Sequence, residues 1–105
     1  MIFKENFEYV KRINNPQKWV FNVKSETSGY LLNKYNFYAY PVQVTVWLDE
    51  VNAAPHALIG SISKEVDIKD AIRIWMAVDE IIRNDIVNWH EYICNDVYKP
   101  DSRWT

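Results

Sequence analysis

The sequence predicts an α+β fold: a short N-terminal helix, a mainly antiparallel sheet of three or four strands, and a long or broken C-terminal amphipathic helix packed on one sheet face. Three observations predict it. Apolar residues pass from helical spacing to alternation and back along the chain, turn-forming residues separate those stretches, and 105 residues suffice for one core and not two. With no internal repeat and no Pro/Gly/Ser-rich linker, residues 1–105 read as a single domain.

Phe3, Phe7, Val10 and Ile13 recur at helical spacing, with Lys4, Glu8, Lys11 and Arg12 between them, and Asn14-Asn15-Pro16 ends that helix because proline cannot continue the ladder. Trp19, Phe21 and Val23 then alternate with Val20, Asn22 and Lys24, which is strand patterning, and Ser25 to Gly29 supply a turn. Tyr30 to Asn36 favours neither state. From Phe37 to Leu48 the chain is aromatic and β-branched, with Val42, Val44, Val46 and Leu48 in one phase and Gln43, Thr45 and Trp47 in the other; Pro41 marks a bulge or an edge. Asn52 to Pro55 form a turn and Ala57 to Ser63 a last strand.

Asp67 is the N-cap of the best-defined element, in which Ile68, Ala71, Ile72, Trp75, Val78, Ile82, Ile86, Trp89 and Ile93 share one helical face. A break at Asn84-Asp85 is the alternative to a continuous helix. With Ile74, Ile81 and Tyr92 added, the apolar arc covers about half the circumference, wider than the roughly 100° stripe of a surface helix. Either the sheet and the first helix cover both flanks of that arc, or the sheet and a partner do.

Composition excludes more than it assigns. Two glycines, Gly29 and Gly60, cannot build the loops that bring backbone N–H groups onto phosphate, so neither a Walker loop nor a dinucleotide fingerprint can be drawn. Cys94 is the single cysteine, which removes any disulfide framework and points to a reducing compartment. Lys4 and Glu5 interrupt the first apolar residues, so no secretory signal is expected, and Arg73 and Asp79 interrupt the most apolar segment, so no membrane span is expected. The expected location is the cytoplasm.

Candidate chemistry is sparse. Asp79 falls among Ile72, Trp75, Ile82 and Ile86, so it is either a buried acid–base group or the partner of Arg83 one turn on. His90 and Cys94 share a helical face, but a zinc site needs further ligands and only His56 or carboxylates could supply them; neither metal nor cofactor is expected. Lys34-Tyr35-Asn36-Phe37-Tyr38-Ala39-Tyr40 interleaves a base with rings, yet lacks the glycines of a base-stacking sheet and sits in an acidic chain, so packing is preferred to nucleic-acid binding.

Five residues are candidates for binding. Trp47, on the polar phase of its strand, and Trp104, in a charged tail, are either exposed anchors or covered by the rest of the domain. Asp70, Glu80 and Glu91 form an acidic helix face that would steer a basic partner surface, in a segment 65–101 carrying nine acids against four bases. In composition the chain resembles small accessory proteins that neutralise another protein, such as phage-encoded inhibitors of host or defence proteins and toxin-immunity proteins. The expected function is therefore a soluble protein-binding module acting by occlusion. The alternatives are a metal-independent enzyme using Asp79 or His90, and a structural or oligomerisation subunit, with self-association left open.

Overall fold

The structure, a computed structural model, describes residues 1–14 and 16–98, with side chains described as far as His90. A 3-10 turn at Lys4–Asn6 leads into β1 (Phe7–Ile13), followed by β2 (Lys18–Val23), helix α1 (Ser25–Lys34), β3 (Val42–Leu48), β4 (Pro55–Ile59), the two-residue β5 (Lys64–Glu65) and helix α2 (Ile68–Tyr98). The α+β architecture is as expected. The five strands pair antiparallel in the order β1-β2-β3-β4-β5, one or two more than the sequence predicted.

Cross-strand register explains the core. Trp19 faces Val46, Phe21 faces Val44 and Val23 faces Val42, while Val44 and Val46 face Ile59 and Ala57. All of these are buried, in one cluster with Leu31 of α1 and Ala71, Ile74, Val78 and Ile82 of α2. Both helices thus pack on one sheet face. The opposite phase is half-buried at Asn22, Gln43, Thr45, Trp47, His56 and Leu58 and buried at Val20, and among the described residues no helix lies over it.

Three local predictions are corrected. The segment expected to form the N-terminal helix is strand β1, in which a bulge between Tyr9 and Lys11 inserts one residue. Phe7 and Tyr9 therefore point inward by alternation, and Arg12 does so one residue out of phase. A period-2 strand with one extra residue imitates the spacing of a helix. The segment 25–29, expected to be a turn, instead opens α1. Its own residues give that helix no side-chain cap, and Gly29 lowers its intrinsic stability by about 1 kcal/mol relative to alanine. Its cap comes from Asn6, whose Oδ1 accepts the Thr27 N–H at 3.2 Å and the Thr27 hydroxyl at 2.8 Å. Thr27 Oγ1 in turn accepts the Phe3 N–H at 2.9 Å, so a buried polar knot joins the N-terminus to α1. Pro41 lies ahead of β3 on a cis Tyr40–Pro41 bond and marks no bulge.

Helix α2 is continuous through Asn84-Asp85 and spans about 46 Å at 1.5 Å per residue. Asp67 caps it as expected, accepting the Asp70 N–H at 2.9 Å. The face that it buries is narrower than the predicted one and turned to one side. Ala71, Ile74, Val78 and Ile82 are buried, whereas Ile68 is 75% exposed and Ile72 and Ile86 are 41% exposed.

Candidate functional site

Two carboxylates on α2 fix its position, and neither stood out in the sequence as buried. Asp70, expected on an exposed acidic face, is fully buried. The Tyr30 hydroxyl donates to its Oδ1 at 2.8 Å and the Tyr35 hydroxyl to its Oδ2 at 2.7 Å. Lys34 Nζ lies 2.8 Å from Asp70 Oδ2 and 2.8 Å from Asp67 Oδ2. Asp70 is therefore corrected from a steering charge to the tie between α1 and the start of α2. Burial alone would raise its carboxyl, but the Lys34 ammonium and the two tyrosine hydroxyls outweigh burial and hold it below its ordinary value. Burial also pushes the Tyr35 hydroxyl up to about 12.

Asp85 makes the second tie. It accepts the Tyr9 hydroxyl at 2.9 Å, the Trp19 indole N–H at 2.9 Å and Arg12 Nη1 at 2.5 Å. The Arg12 guanidinium also lies 4.1 Å from the centre of the Trp89 ring. Position, not residue type, was the available signal: Asp85 continues the stripe of Ala71, Ile74, Val78 and Ile82 by three residues. This network seats Trp19 and the base of the β1–β2 hairpin against α2.

Asp79 is paired with Arg83, whose Nε donates at 3.1 Å and whose Nη2 makes a second, shorter contact. That guanidinium holds the Asp79 carboxyl below its ordinary value, which fits the structural reading of the residue. Glu80 is 73% exposed and pairs at 3.3 Å with Lys4, itself 61% exposed. The Glu91 side chain and all of Trp104 lie outside the described residues, as does the Cys94 side chain. The basic-aromatic run 34–40 is not on the sheet: it is the end of α1 and the loop to β3, with Tyr38 91% exposed.

The candidate site lies at the end of the sheet, where the β1–β2 and β3–β4 turns stand side by side. A groove of about 610 Å³ is lined there by Lys18, Trp19, Trp47, Leu48, Val51 and Ile86, with Pro16 and Gln17 on one side and Asp49 and Glu50 on the other. Trp19 forms the buried floor, while Leu48 and Val51 are 39% and 93% exposed. Trp47 is neither bare nor roofed by a second layer. Its ring stacks on His56, with centroids 5.4 Å apart and planes 7° from parallel, and carries the Lys18 ammonium at 4.2 Å. Sequence periodicity placed Trp47 on the outward phase, but Leu48, Val51 and Ile86 enter the groove only through the turn and the helix crossing.

His56 completes the wall behind Trp47. Its Nδ1 contacts Glu65 Oε1 and its Nε2 lies 3.5 Å from Asp49 Oδ2, so one imidazole bridges the β3–β4 turn and β5. The Glu65 carboxylate, seconded by Asp49, raises the imidazole above its ordinary 6.5. The clasp therefore stabilises the fold fully below about 6.5, and its contribution is lost as pH rises through the higher folded-state value. The melting temperatures of wild type and His56→Gln should differ most in mild acid and converge above neutrality; a gap independent of pH would show that the imidazole is not charged in the clasp.

Among the described residues, no group of three His, Cys, Asp or Glu side chains could hold a metal ion, and no helix is long and apolar enough to cross a membrane. No protein-family model matches this chain, and no curated protein or solved structure matches it.

Proposed function

We propose that this chain is a protein-binding module that neutralises its partner by occlusion, taking an exposed segment of that partner into the groove between the β1–β2 and β3–β4 turns. The observation that carries this reading is the groove itself. It combines a rigid aromatic floor and wall, Trp19 and Trp47, with exposed aliphatic side chains at its mouth and two acids on one rim, the composition of an interface anchor site. Asp49 and Glu50 favour a segment presenting a large apolar side chain beside lysine or arginine. Asp79, the carboxylate of the acid–base alternative, is already engaged by Arg83 and lies outside this groove, which favours binding over catalysis at that residue.

Selection of displayed random peptides on the immobilised protein tests this reading. Enriched sequences should pair an aromatic or large aliphatic residue with Lys or Arg, and Val51→Lys, which at a 93% exposed position removes an apolar contact and opposes the acidic rim, should weaken their binding by roughly tenfold or more without changing the melting curve. Equal enrichment on wild type and Val51→Lys would remove the groove from the account.

A further inference from the structure

Helix α2 carries a second apolar stripe that is largely open to solvent among the described residues, with only its Trp75 edge packed back on the domain, against Trp19. Ile68, Ile72, Met76, Ile86 and Val87 are 75%, 41%, 73%, 41% and 55% exposed, and Trp75 between them is half-buried. At about 100° per residue, these side chains fall within an arc of about 120° beside the buried stripe. The rest of the domain packs against the other flank, where Glu80 meets Lys4 and Asp70 meets Tyr30 and Tyr35. A surface helix needs one apolar stripe; this one has a second, on the solvent side.

The charges within the second stripe indicate what covers it. Asp79 and Arg83 stand at its middle, opposite in sign and one turn apart, with Lys69 at its edge. Arg83 is 74% exposed, so its guanidinium can turn from its own Asp79 to an acceptor outside the chain. Set two copies of the helix antiparallel about a twofold axis passing near residue 81. Each Asp79 then lies level with the other copy's Arg83 at the centre of the seam, and each Met76 lies level with the other copy's Ile86. The stripe is thus complementary to itself in both shape class and charge, and each contact is made twice. A parallel arrangement in register would instead set Asp79 against Asp79 and Arg83 against Arg83.

We propose that the partner of this face is a second copy of the chain, packed antiparallel along α2 with Asp79 and Arg83 exchanging partners across a twofold axis. The inference goes beyond the groove reading, and Ile86 belongs to both surfaces, lining the groove and lying in the stripe. The test uses two charge variants, Arg83→Asp and Asp79→Arg, with sedimentation velocity as the readout. Wild type should sediment as a dimer. Each variant alone places four like charges at the axis and should weaken the dimer by roughly tenfold or more, whereas an equimolar mixture should recover it as a heterodimer. Met76→Glu, at a 73% exposed position, should also give monomers, with circular dichroism confirming the fold of every variant. A wild type that stays monomeric at millimolar concentration, variants that remain dimeric, or folded variants whose mixture stays monomeric would each overturn the proposal.

Discussion

Replacing Ile82 with alanine should lower the unfolding free energy by about 2–5 kcal/mol, the lost transfer free energy of the side chain plus the cost of the cavity left behind. Ile82 is 1% exposed and lies in the same cluster as Phe21, Val44 and Ile59, where neighbours held by the sheet ladder cannot collapse far into the space. Ile68→Ala is the control within the same helix. Both isoleucines belong to the apolar face drawn from the sequence, but Ile68 is 75% exposed in the single chain, so its replacement should change the stability of the monomer by no more than about 0.5 kcal/mol. Urea denaturation of the two variants decides between the face read from periodicity and the face seen in the fold. Equal effects would mean that α2 is rotated from its described position.

That contrast marks what periodicity can carry. Alternation in β2 and β3 marks Trp19, Phe21, Val23, Val42, Val44 and Val46 as inward, because a strand whose faces see different environments must alternate, but it misses Val20, buried on the other phase, and Leu48, which is 39% exposed where β3 ends. The Asp67 cap and the Asp79–Arg83 pair were legible for a similar reason: partners three or four residues apart are set by helix geometry alone. Strand β1 and helix α1 were misread where local rules are overridden. The bulge in β1 disguises its period, and the N-terminus of α1 is capped by Asn6, 21 residues upstream of Thr27. The two ties on α2 were illegible on the same ground. Asp70 meets Tyr30 at a separation of 40 residues and Asp85 meets Tyr9 at 76, and no sequence window joins such partners. The half-circumference apolar arc implies cover on both flanks, whereas the fold covers one flank and leaves the Ile72–Met76 flank exposed.

Asp70→Ala should cost on the order of 3 kcal/mol, because it removes the common acceptor of two tyrosine hydroxyls and a lysine while leaving the hydroxyls in place. Lys34 keeps Asp67 as a partner and is 36% exposed, which limits the loss on its side. The tyrosine hydroxyls keep a donor each, Lys34 Nζ at 3.3 Å for Tyr30 and the Asp67 N–H at 3.0 Å for Tyr35, but lose their acceptor, so Asp70→Asn, which preserves shape and one acceptor oxygen, should cost less than alanine. Tyr30→Phe and Tyr35→Phe should each be milder in the Asp70→Ala background than in wild type, since the acceptor that they serve is already gone. The pH dependence has a definite sign. The folded-state value of Asp70 lies below its ordinary 3.8, so its stabilisation is complete above about 3.8 and is lost as pH falls through the lowered value. The unfolding free energies of wild type and Asp70→Asn should therefore differ fully near neutrality and converge in strong acid. A difference that persists unchanged at the acid end would mean that Asp70 holds α1 through neutral hydrogen bonds, with its charge contributing nothing to the tie.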